Sequence, residues 1–71
     1  MEILIFKTDL KTEDRVKVIK PYFDENIAVK DWCVDLEDID CVLRIEANNL
    51  KEFDIISMAN SKGFYCEPLS D

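Results

Sequence analysis

Histidine is missing from this chain altogether. With it go the commonest general base near neutral pH and the commonest transition-metal ligand. Glycine occurs once and proline twice, too few for a glycine-rich phosphate loop or a low-complexity linker. Nine basic residues stand against sixteen acidic ones, and a net charge of -7 repels phosphate backbones and anionic bilayers. Neither nucleic acid nor membrane is an expected partner. The longest unbroken apolar run is Ile3 to Phe6, far short of the roughly 20 residues a spanning helix needs. Met1-Glu2 opens no basic signal-peptide region, so the expected location is the cytoplasm. Cys33, Cys41 and Cys66 are odd in number and widely spaced, which suits reduced thiols rather than a disulfide framework.

What is present is a chain of 71 residues, 48% apolar and 35% charged, with the composition of a single compact domain over residues 1–71. At this length about 60% of the unfolded surface is available for burial. Glu2 to Phe6 is β-branched and aromatic and apolar on both faces, as a central strand requires. Thr12 then offers a capping hydroxyl, Glu13 and Asp14 place acid in a first turn, and Val16, Ile19 and Phe23 recur with helical spacing. Pro21 predicts a kink or an end near Lys20, with a last turn through Phe23.

Residues 27–36 alternate, with Trp32, Val34 and Leu36 on one face; residues 40–46 alternate likewise, with Cys41, Leu43 and Ile45 together. Pairing Leu36 with Cys41, Val34 with Leu43 and Trp32 with Ile45 closes a hairpin over residues 37–40. Asn48 or Asn49 is the expected cap of a second helix whose stripe is Leu50, Phe53, Ile56 and Ala59, helped by Ile55, with Gly63 as its stop. Residues 64–69 form a last strand that Pro68 confines to an edge. Trp32, Phe23, Phe53 and Leu43 are expected to dominate the core. The order βαββαβ predicts an α+β, ferredoxin-like two-layer sandwich: a four-stranded antiparallel sheet in the order 4-1-3-2, both helices on one face.

Length, element order and several phrases resemble the heavy-metal-associated domain, the fold of copper chaperones and of the metal-binding domains of copper-transporting ATPases. The phrases are Val34-Asp35-Leu36 at the end of the second strand, Ile55-Ile56 and Ala59 in the second helix, and Gly63-Phe64 before the last strand. Anchored on Arg15-Val16, residues 7–12 align without a gap against the family's Met-Thr-Cys-x-x-Cys, placing Asp9 and Thr12 at the ligand positions. The resemblance implies the fold, while oxygen donors in place of thiolates are wrong for the soft ions this family binds. Lys7 and Lys11 add positive charge beside that position. A helix cap at Asp9 or Thr12 accounts for the loop without any ligand.

Other constellations are weaker. Asp35, Glu37, Asp38 and Asp40 cluster at the hairpin without the glycine turn or the spacing of an EF-hand. Acylphosphatases share the topology but need glycine and arginine in the first loop, where this chain has neither, so no enzyme and no cofactor are expected. What remains is the outer sheet face, where Ile3, Ile5 and Val42, with Cys33, Arg44 and Tyr65 around them and Asp31, Asp35, Glu46 and Glu67 at the rim, compose a docking surface. The expected function is a binding module whose partner is another protein or a second copy, with soft-metal binding lost. Two alternatives stand beside it: metal trafficking by a non-standard route, such as Cys33 shared between two chains, and a small-ligand sensor that pairs sheets edge to edge.

Overall fold

The computed structural model describes residues 2–69, in which six elements follow the order β1 (Glu2–Thr8), α1 (Glu13–Asp24), β2 (Val29–Val34), β3 (Leu43–Ala47), α2 (Glu52–Ser61) and β4 (Cys66–Pro68). The four strands make one antiparallel sheet in the order β2-β3-β1-β4, which from the other edge reads β4-β1-β3-β2. This α+β arrangement is compatible with a ferredoxin-like fold.

Alternation along the central strands explains the core. Phe6 on β1 and Leu43, Ile45 and Ala47 on β3 are fully buried against Ile19 and Phe23 of α1 and Ile55 and Ala59 of α2. Val34 pairs with Leu43 and Trp32 with Ile45, as the two alternating patterns require. The expected pairing of Leu36 with Cys41 is not made. β2 ends at Val34, the Asp35 amide donates to the Val42 carbonyl at 2.9 Å, and the chain then loops out. Cys41 is buried but takes a left-handed φ of 45°, its amide donating to the Asp38 carbonyl, and so turns the chain instead of extending it.

Helix α1 carries Pro21 in its interior and continues through it to Asp24. Proline removes one amide but leaves its own carbonyl free, and that carbonyl accepts the Glu25 amide at 3.0 Å. The end of α1 is fixed to β2 by aromatic and polar contacts. Phe23 and Trp32 meet edge to face at 5.1 Å, and the Trp32 indole Nε1–H donates to Asp24 Oδ1 at 2.9 Å. Helix α2 begins later than the asparagines predict. Asn49 takes a left-handed φ of 60° and turns the chain, and Lys51 is the N-cap, its amide donating to the Asp54 carboxylate at 2.9 Å.

That later start decides which face α2 buries. Ile55 and Ala59, four residues apart, enter the core, whereas Phe53, about 200° around the helix from Ile55, is 72% exposed. Phe53 is therefore not a core residue, and Trp32 lies at the core's margin rather than at its centre. The centre is Phe6, Leu10, Ile19, Phe23, Leu43, Ile45 and Ile55. Gly63 at φ 86° ends the helix as expected.

Both sheet edges are blunted. On β2 the register slips between Val29 and Asp31, and the Trp32 amide donates to its neighbour's carboxylate, Asp31 Oδ1, at 2.9 Å. On the opposite edge, β4 is three residues long and includes Pro68. Short strands, bulges and proline all deny an incoming strand its hydrogen-bond partners.

Candidate functional site

The joint between β1 and α1 is shorter than the sequence suggests, because Lys7 and Thr8 belong to the strand. Only residues 9–12 form the loop, and the side chains of both Asp9 and Thr12 have structural partners there. Asp9 Oδ1 accepts the Tyr65 amide at 2.9 Å, and the Asp9 amide donates to the Tyr65 carbonyl at 3.3 Å, so one residue ties the loop to the start of β4. Asp9 Oδ2 lies 3.6 Å from the Arg15 guanidinium, which also donates to the Asp9 carbonyl at 3.1 Å. Thr12 is the N-cap of α1, its hydroxyl accepting the Arg15 amide at 3.2 Å. Thr8, which is buried at the end of β1, donates its hydroxyl to the Cys41 carbonyl and accepts the Leu10 amide. Lys7 pairs with Asp40 at 3.5 Å, and Lys11 is exposed.

Leu10 is the residue that sequence reasoning missed. It is fully buried in the middle of this loop and pins it into the core. A lone leucine among Lys, Thr and Asp has no periodic partner that would announce it; the only available signal was an apolar side chain in an otherwise polar connection.

The three thiols are not gathered together. Cys33 is exposed on β2, Cys41 is buried before β3, and Cys66 is buried on β4, across from Thr8. Burial, with the Asp9 charge adding to it, pushes the Cys66 thiol up to about 11. Among the described residues, no three His, Cys, Asp or Glu side chains are grouped as a metal ion would need.

The outer sheet face brings together most of the residues named for it. Antiparallel register sets two transverse rows: Asp31, Glu46 and Ile3, then Cys33, Arg44 and Ile5. Ile3 is 51% and Tyr65 49% exposed, Cys33 and Arg44 are exposed, and Ile5 and Val42 are half-buried. Arg44 reaches along its strand to Glu46 at 3.7 Å. Between them and β2 lies a depression of about 20 Å³, lined by Asp31, Trp32, Cys33, Arg44 and Glu46, with room for about one water. Tyr65 stands beside Glu67, whose carboxylate holds the phenol above its ordinary pKa. The face is thus an apolar strip of Ile3 and Ile5 on β1, flanked by charge.

Comparison of the chain with protein-family models, with curated proteins and with solved structures gives no match in any of the three.

Proposed function

We propose that this chain is a protein-binding module that acts through the outer face of its sheet, built on a plan resembling the heavy-metal-associated domain but with a first loop devoted to holding the fold together. Ile3 carries this reading. It is a large aliphatic side chain, half exposed on a strand that is central in the sheet, with Ile5 two residues along the same strand and Val42 and Tyr65 toward that strand's far end, Tyr65 level with Asp9. Apolar surface of this kind, rimmed by charge, is characteristic of interaction sites.

The blunted edges support a face rather than an edge as the site, and they count against the alternative in which two sheets pair side by side. The loop supports the loss of soft-metal binding. The Asp9 carboxylate and the Thr12 hydroxyl, at the ligand positions of the resembled family, already serve main-chain amides. Sharing a metal through Cys33 of two chains would place a cation beside Arg44, its register partner.

A photo-crosslinking residue substituted for Ile3 tests the reading in cells. The expected result is a discrete adduct, lost when Tyr65→Asp is added and absent when the crosslinker replaces Ile27, which is 90% exposed between α1 and β2. The same adducts from positions 3 and 27 would overturn it.

A further inference from the structure

The outer face also constrains what it can bind, given that it is the docking surface proposed above. We infer that its occupant is a basic amphipathic helix of another protein rather than a second copy of this chain. The first ground is charge. Of the cations on this face, Lys7 is paired with Asp40 and Arg44 with Glu46; among the described residues Asp31 has no ion-pair partner, and Glu67, across from Lys7 and bonded to the Tyr65 phenol, forms no ion pair either. The uncompensated charge is negative, on a chain that carries -7 in all. A second copy would set Asp31 and Glu67 against their own kind, whereas lysines from a partner complement them.

The second ground is width. Asp31 lies on β2 and Glu67 on β4, at opposite edges of the sheet, with the Ile3 and Ile5 strip of β1 between them. Strands about 4.8 Å apart put β2 and β4 roughly 14 Å apart, a little more than the width of one helix. The register sets Asp31 level with Ile3 but Glu67 level with Lys7, so the two acids are staggered along the sheet and meet different turns of a helix laid along β1. An apolar helix stripe seated on Ile3, Ile5 and Val42 therefore carries its flanking basic residues to the acids on either side. An extended peptide is disfavoured, because it would need a free edge and both are blunted.

The test is titration of the isotope-labelled full chain with a synthetic leucine-lysine amphipathic peptide of about five helical turns, followed by amide NMR shifts. The expected shifts fall on β1, β3, Cys33 and Tyr65. Binding should weaken about tenfold or more in Ile3→Asp, as loss of one buried aliphatic contact requires, and similarly in Tyr65→Ser. It should be unchanged in Ile39→Asp, at a hairpin residue that is 94% exposed. Both face positions are about half exposed, and matching thermal melts establish that the variants fold. Shifts spread over the acidic hairpin and indifferent to Ile3→Asp would overturn the inference as mere charge attraction. Equal binding of a leucine-glutamate peptide would overturn it too. Dimerisation of the chain alone, abolished by Ile3→Asp in sedimentation, would overturn the helix while leaving the docking face intact.

Discussion

Leu10 exposes none of its surface although it belongs to a four-residue connection, and Thr8, Asp9 and Thr12 around it bond to main-chain groups on three separate segments. Replacing Leu10 with Ala should cost about 2–5 kcal/mol, the range for truncating a fully buried leucine, measured by urea melts. A loop free of the core would show almost no loss. Asp24 offers a second residue-level check. The Lys20 ammonium, hydrogen-bonded to its carboxylate, and the Trp32 indole hold its pKa below the ordinary 3.8. A lowered folded pKa means a contribution that is present above the unfolded value and lost as pH falls below 3.8 through the folded one. Trp32 emission should change across that acid window, and Asp24→Asn should flatten the change. Cys66 has the opposite sign. Its pKa, raised from 9.0 to about 11, gives a contribution intact below pH 9 and lost as pH climbs through about 11. At pH 8 iodoacetamide should modify Cys33 in the folded chain, and Cys41 and Cys66 only after denaturation, as read by mass spectrometry.

At the scale of elements, α2 provides the sharpest contrast. Phe23→Ala should lose about 3–5 kcal/mol, because Phe23 is fully buried and packs on Trp32. Phe53→Ser should stay within about 0.5 kcal/mol, because that ring is mostly in solvent. A large loss at Phe53 would mean that α2 is rotated from its described setting. Phe53 also marks where sequence patterning fails. Ile55, Ile56 and Phe53 fit more than one helical stripe, and the true one depends on where the helix starts, which Asn49 and Lys51 decide through backbone conformation and one carboxylate contact. The central strands were legible because Val34 with Leu43 and Trp32 with Ile45 satisfy two alternating patterns at once. Thr12 was legible as a cap because hydroxyl and first-turn acids occur together. The left-handed Cys41 and the reach of Arg15 to Asp9 were not, since both depend on contacts between distant or non-periodic residues.

For the molecule as a whole, the sheet divides the labour. One face is closed by two helices over the core; the other is open and carries Ile3 and Tyr65. Standard protein interfaces cover about 800 Å² on each partner, roughly a sixth of the 4699 Å² of surface here. Binding through the sheet face should weaken as salt screens Asp31 and Glu67. The central claim is that the first loop completes the fold and leaves function to this face. Competition for Cu(I) against a chromogenic chelator, run under reducing conditions, tests it most directly. The prediction is that the natural chain leaves the metal with the chelator, whereas Asp9→Cys with Thr12→Cys takes up one equivalent. One equivalent withdrawn by the natural chain, and lost in Cys33→Ser, would contradict the account.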